Sequence, residues 1–208
     1  MTIELACFDL EGVFVPEIWI NVAERTGISD LRLTTRDVAD YDELMGHRLR
    51  VLDEHGLRLS DITRVIAALE PLPGAAATLD WVRENFAGVI ILSDTFTQFA
   101  KPLMAHLGWP ALFCHELEIG PDDRITGWRL RQPNQKYEAV RALQGLGFRV
   151  LAAGDSYNDT AMLEAADAGI LFDPPANVIA EFPHLPVASD YAALRRELAL
   201  ASVNGVAA

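Results

Sequence analysis

Cysteine is scarce. Cys7 and Cys114 are the only two in 208 residues, with no CxxC pair and no Cys/His cluster. A structural zinc site or a disulfide framework is therefore not expected. Cys7, inside an apolar run, reads as a small core residue. Basic residues are also few: 17 Lys and Arg stand against 30 Asp and Glu, a formal charge of −13. That balance argues against a nucleic-acid partner, whose phosphates are held by clustered Lys and Arg. It argues equally against docking on an anionic membrane surface. No apolar run approaches the length of a membrane span. The first residues, MTIELACFDL, lack a basic region and carry acids early, unlike a signal peptide. A reducing cytoplasm is the expected location. A phosphorylated metabolite stays compatible with the charge, because one local cation or metal overrides the global field.

Repeats and low-complexity segments are also missing, and 208 residues suffice for one substantial core with a smaller subdomain. Ile3 to Cys7 reads as a buried strand. From Pro16 to Glu70 no strand pattern follows. Pro16 suits a first helical turn, with Ile18, Trp19, Val22 and Ala23 behind it at helical spacing. Leu44, Met45, Leu49 and Leu52 form a second stripe, ended by His55-Gly56. Ser60 reads as the N-cap of a third helix carrying Ile62, Val65, Ile66 and Leu69.

After a turn at Pro71 to Gly74 the pattern alternates. A helix with Leu79, Trp81 and Val82 precedes strand 89–92, and a helix over 98–107 follows. Residues 112–130 form a hairpin turning at GPDDR. Helix 135–146, strand 150–153, helix 161–168, strand 170–172 and helix 191–200 complete the series. Alternating apolar strands and helices predict an α/β fold with a doubly wound parallel sheet. The expected division is a core of 1–14 and 72–208 with a helical cap of 15–71 inserted after the first strand.

Three of these strands end in polar residues: Asp9 and Glu11, then Ser93, Asp94 and Thr95, then Asp155, Asn158 and Asp159. Ligands of an open parallel sheet bind outside the carboxyl ends of its strands, so the three tips are expected to share one crevice. Any one tip alone is ordinary turn chemistry; three together are not. Several carboxylates in one crevice need a counter-charge. An all-oxygen set without His or Cys points to a hard cation, Mg²⁺ before Ca²⁺. DSYND lacks the alternating acids and internal glycine of a calcium loop. Lys136 opens a helix, where the dipole favours anions rather than cations. Taken alone it reads as a surface lysine; beside a phosphate it would neutralise charge on the transferred group.

These residues, in this order and spacing, resemble the four motifs of the haloacid dehalogenase superfamily: Asp9-x-Glu11-Gly12-Val13, Ser93, Lys136 and Gly154-Asp155-Ser156-Tyr157-Asn158-Asp159. The match spans most of the chain and implies that superfamily's Rossmann-like core. The helical insertion resembles the small cap of phosphoserine phosphatases. The stretches DLEGV, PEIW, LDEHGL, LSDT and GDSYNDT are more similar still to the type that also transfers phosphate from phosphoserine to homoserine.

The resemblance implies that Asp9 is a nucleophile forming an aspartyl phosphate, and that Glu11 is the acid/base and lends its backbone carbonyl to Mg²⁺. By the same resemblance Asp155 is a direct metal ligand with Asp9, and Ser93 and Lys136 hold phosphoryl oxygens. Asp94 lies on the acceptor side, Asn158 at the substrate and Asp159 in support. Glu17 matches the cap residue that meets the substrate ammonium. The implied substrates are phosphoserine with homoserine or water as acceptor, and another small phosphomonoester is the alternative. A phosphoacceptor receiver domain also pairs Asp, a hydroxyl and Lys on a doubly wound sheet, but it has no helical insertion after the first strand.

The cap should also offer an arginine to the substrate carboxylate. Arg48 shares a face with Leu44, Met45 and Leu52, whereas Arg50 lies over Gly46, His47, Asp53 and Glu54. An inward arginine needs an anionic partner, so Arg48 is the expected one. Two departures stand out: Glu11 where most members have Asp, and Asp94 where ordinary phosphoserine phosphatases have glycine. A neighbouring carboxylate would raise the Glu11 pKa, while a metal and Lys136 would lower it; the sequence leaves that balance open.

Overall fold

A computed structural model describes residues 2–34, 37–38 and 40–207 of the chain. Strand β1 (Glu4–Phe8) is buried at all five positions, the mark of a strand covered on both faces. Helices α1 (Ile18–Thr26), α2 (Tyr41–Glu54) and α3 (Leu59–Ile66) follow with no strand among the described residues between them. Next come α4 (Ala75–Asn85), β2 (Gly88–Phe96), α5 (Thr97–Met104) and the hairpin of β3 (Ala111–Ile119) and β4 (Ile125–Arg129). The chain closes with α6 (Gln135–Gly145), β5 (Arg149–Gly154), α7 (Thr160–Ala165), β6 (Ala168–Phe172), α8 (Ala176–Glu181), β7 (Val187–Ala188) and α9 (Tyr191–Ala201).

Among the described residues seven strands lie in the order β4-β3-β2-β1-β5-β6-β7, and of these pairs only β3 and β4 run antiparallel. Ala6 sits opposite Val89 on one side and Leu151 on the other, placing β1 centrally. Side chains alternate across the sheet. Ala6, Phe8, Ile91, Leu151 and Ala153 face a core shared with α4, α9 and the inserted helices. Leu5, Cys7, Ile90, Leu92, Val150 and Ala152 face a second core built on α6 and α7. The doubly wound sheet expected from the alternating pattern is the observed fold. Among the described residues no helix is long and apolar enough to cross a membrane. Burial pushes the Cys7 thiol up to about 12, so it is inert core, as expected.

Several local expectations need correction. Helix α1 begins at Ile18, two residues beyond Pro16, because the Ile18 N–H donates to Glu11 Oε2 at 2.8 Å and so fixes the helix start. Ser60 lies inside α3 and is not its N-cap. Asp61 Oδ2 accepts from the Arg58 N–H at 3.0 Å, and Asp123 of the hairpin turn accepts from the Leu59 and Ser60 N–H groups at 3.0 and 2.8 Å. The expected helix 161–168 stops at Ala165, and Ala168 already pairs with Leu151 as part of β6. Helix α8 and the two-residue β7 lack the length that makes a periodic pattern visible.

Candidate active site

Strand β1 delivers Asp9 into the crevice, with its N–H bonded to Ala153 O at 3.0 Å. The chain then turns through Gly12, whose φ of +76° suits glycine. A Cβ on Gly12 would lie 2.5 Å from the Asp155 carboxyl carbon, so this glycine also makes room for Asp155. At the end of β5, a Cβ on Gly154 would lie 2.4 Å from Asp159. The glycines of the first and last motifs thus let two acids approach β1.

Asp159 is fully buried. Its Oδ2 accepts from the Asp155 N–H, the Ser156 N–H and the Ser156 hydroxyl at 3.1, 3.0 and 3.1 Å, while Oδ1 takes Lys136 Nζ at 2.7 Å. Carboxylate oxygens of Asp9, Asp155 and Asp159 lie within 4.8 Å of one another. Lys136, also buried, reaches Asp9 Oδ1 at 3.0 Å and Asp94 Oδ2 at 3.4 Å. It stands in the first turn of α6, and three carboxylates offset the unfavourable helix dipole there.

The charges show what this crowding does. Burial raises the Asp9 pKa well above the usual carboxylate range; Asp159, Asp155 and Asp94 add to it and Lys136 opposes. Asp155 is pushed up to about 7 by burial, then by Asp159 and Glu17. Burial alone would lower Lys136, but Asp159, Asp9 and Asp94 raise it well above its ordinary value, so it is a fixed cation. One ammonium faces four acids. The excess negative charge on hard oxygen donors fits a divalent hard cation.

Glu11 points away from that cluster. Burial pushes its pKa up to about 7, and Glu17 adds to the rise; the Ile18 N–H, Arg48 and Thr95 oppose it. The sequence leaves a metal and Lys136 as the lowering charges; of the side-chain cations it is Arg48 rather than Lys136 that lowers it, because Glu11 turns towards α1 and α2. Arg48 is 7% exposed and lies 4.6 Å above the Trp19 ring, with Nη2 donating to Leu33 O at 2.8 Å. Burial lowers its pKa to about 10, so it stays charged at neutral pH. Arg50 is exposed. Glu17, exposed just before α1, is close enough for its charge to act on Glu11 and Asp155. Arg48, Glu17 and Glu11 are thus neighbours in electrostatic terms, and Arg48 faces inward as its helix face implied.

Ser93 is buried, and its hydroxyl accepts from the Thr95 N–H at 3.3 Å. Asp94 is held well below the usual range despite burial, by Lys136, His115, Asn158 and Gln135. Asn158 Nδ2 donates to Asp94 Oδ2 at 3.2 Å. Sequence reasoning missed Gln135, His115 and Tyr41. Gln135 is buried against Ser93 and Asp94, His115 Nε2 stands 3.6 Å from Asp94 Oδ1, and the Tyr41 hydroxyl donates to Asp94 O at 3.1 Å. Only the adjacency of Gln135 to Lys136 was a signal. A cleft of about 530 Å³ opens between Tyr41, Asp94, His115, Lys136, Tyr157 and Asn158. A second hollow of similar volume, lined by Arg141, Phe148 and Asp167, holds none of these groups.

A family model described as haloacid dehalogenase-like hydrolase matches residues 3–167. The chain is 59% identical to the phosphoserine phosphatase ThrH of Pseudomonas aeruginosa over 199 residues, covering 96% of this chain and 97% of that protein. It is 56% identical to a phosphoserine phosphatase of Pseudomonas syringae, covering 96% of this chain and 84% of that one. In fold it matches a solved apo phosphoserine phosphatase with a TM-score of 0.76 at 20% identity, over 95% of this chain and 98% of the other.

Proposed function

The chain belongs to the haloacid dehalogenase-like hydrolases, and from that premise we propose that it is a Mg²⁺-dependent phosphoserine phosphatase that also transfers the phosphoryl group to homoserine. The convergence of Asp9 and Asp155 with Lys136 carries the chemistry: a nucleophile, a ligand set and a fixed cation at one point. The substrate class follows from the relatives named phosphoserine phosphatase at 59% and 56% identity.

Asp9, Asp155 and the backbone carbonyl of Glu11 are the groups that would hold the ion. Asp159 supports them, since its Oδ2 already accepts three donors and its Oδ1 an ammonium. When bound, Mg²⁺ supplies positive charge that keeps Asp9 ionised and neutralises the phosphoryl group. Asp9 attacks phosphorus in line, forming an aspartyl phosphate and breaking the bond to the serine oxygen. Lys136 and Ser93 hold the phosphoryl oxygens against developing charge.

Glu11, whose pKa burial pushes up to about 7, gives its proton to the departing serine oxygen. As a carboxylate it then takes a proton from the acceptor, whose oxygen attacks phosphorus and releases Asp9. Arg48 meets the substrate carboxylate, Glu17 its ammonium, and Asn158 and Asp94 border the acceptor side. Residues 15–71 act as a cap over a core of 1–14 and 72–208. Homoserine carries the same ammonium and carboxylate as serine, so it fits the same two charges once serine leaves. A bound alcohol gains from fixed orientation over water.

The test supplies phosphoserine, homoserine and Mg²⁺ together and follows phosphohomoserine by mass. Its formation at the expense of inorganic phosphate is the expected result. Serine and phosphate alone at saturating homoserine would make this a plain phosphatase. No turnover of phosphoserine would overturn the substrate assignment.

A further inference from the structure

Strand β2 does not stay in register at its functional end. Leu92 pairs with Phe113 and Phe96 with His115, so residues 93–95 of β2 face a single residue of β3. Such a bulge leaves ladder groups unpaired and re-aims side chains, often beside active sites. The freed carbonyls are claimed from elsewhere in the chain. Gln135 Nε2 donates to Ser93 O, and the Tyr41 hydroxyl donates to Asp94 O.

Gln135 does more than fill one valence. It is 2% exposed at the first position of α6, directly before Lys136. Its amide nitrogen also donates to Asp94 Oδ1 at 3.2 Å, while its Oε1 accepts from Arg131 Nε at 3.1 Å. A guanidinium has no acceptor, so the oxygen of the amide must face Arg131 and the two N–H groups must face β2. Arg131 is itself steadied over the Phe113 ring at 4.9 Å. Its backbone N–H donates to His115 Nδ1 at 3.1 Å. That leaves His115 Nε2 to carry the ring proton on the side of Asp94 when the ring is neutral.

We propose that Gln135, with its amide orientation locked by Arg131, is a positioning residue that sets the bulge at 93–95 and thereby aims Ser93 at the phosphoryl group. This rests on the reading of Ser93 and Lys136 as phosphoryl-holding groups. Gln135 touches no reacting atom. It acts through the Ser93 carbonyl and the Asp94 carboxylate, tying the end of β2 to the turn that carries Lys136.

The test uses the full chain with Mg²⁺ and the variants Gln135→Met, Gln135→Glu and Arg131→Met. Inorganic phosphate is the binding probe, alongside kcat/KM for phosphoserine and a thermal melt. Gln135→Met keeps the volume without the donors, and Gln135→Glu keeps the shape but turns a carboxylate towards Ser93 O and Asp94. Both should weaken phosphate binding and kcat/KM together, roughly 10- to 100-fold as for other partners that orient a site, with melting temperature lowered by only a few degrees. Arg131→Met should act in the same direction but less, and should speed exchange of the Gln135 side-chain amide protons.

A merely structural role would lower the melting temperature and leave phosphate affinity of the folded protein intact. Wild-type phosphate affinity and kcat/KM in folded Gln135→Met would overturn the proposal. If neither Gln135 variant folds, unchanged phosphate affinity and amide exchange in Arg131→Met overturn it instead. Loss of phosphate affinity in Gln135→Met, in a protein whose wild type ignores phosphoserine, would sustain the positioning role and reject the substrate.

Discussion

Replacing Arg48 with Met tests the cap side of the site most sharply. The side chain keeps its volume and loses its charge. Within the fold it forfeits a hydrogen bond to Leu33 O, about 1 kcal/mol, a weak one to Met45 Sδ, and a stacked contact with Trp19, about 0.5–2 kcal/mol. Part of this is offset, because among the described residues the Arg48 Nε is buried without a partner and its removal relieves a desolvation cost. A net loss of about 1–2 kcal/mol leaves the protein folded. The substrate should feel far more. Truncating one partner of a buried charge pair costs about 2–5 kcal/mol, or roughly 30- to 4,000-fold in kcat/KM at 1.4 kcal/mol per decade. Arg48 also opposes the raised pKa of Glu11, so its loss should move the Glu11 titration upward from about 7. The assay compares phosphoserine with phosphoethanolamine, which keeps the ammonium and lacks the carboxylate. Phosphoserine should suffer much more than phosphoethanolamine, and Arg50→Met, at an exposed position, should change neither. Equal losses on both substrates, or a larger effect at Arg50, would refute the assignment.

Asp9→Asn should fold normally yet lose both turnover and the phosphoenzyme; mass spectrometry of the protein mixed with phosphoserine checks this, and a phosphorylated variant would count against Asp9. Chelation should stop catalysis and added Mg²⁺ restore it, with full activity after exhaustive metal removal as the contrary result. Protons compete with the ion at Asp155, raised to about 7, and at Asp9, also raised, so apparent Mg²⁺ affinity should climb as pH rises through about 7. The sign for stability is opposite. Carboxyls whose folded pKa is raised bind protons on folding, so the metal-free protein should lose stability as pH rises from about 4 to 7, owing to Glu11 and Asp155 with Asp9 in the same direction, and urea melts across that range would check it.

The sequence by itself determined the layered α/β class, because strands buried on both faces are apolar without interruption and helices repeat at their own period. It also pointed to the crevice. Asp9 and Asp155 directly follow β1 and β5, and parallel strands bring their carboxyl ends to one edge whatever the loops between them do. The apolar pattern puts Ser93 just past a strand 89–92, but β2 continues to Phe96 and Ser93 lies where it leaves register with β3. Placing Arg48 inward and Arg50 outward needed only helical spacing. What tertiary structure alone decided were contacts between segments far apart in the chain. Ser60 was passed over as a cap because Asp123, 63 residues away, supplies the acceptor. Glu11 answers to Arg48 and Glu17 rather than Lys136 because the turn after β1 directs it towards the inserted helices. Gln135 has no periodic or charge signature, and its role exists only because the bulge in β2 frees a carbonyl 42 residues earlier in the chain. Periodicity and strand-end position are local properties; a hydrogen bond between distant residues depends on how the two segments pack.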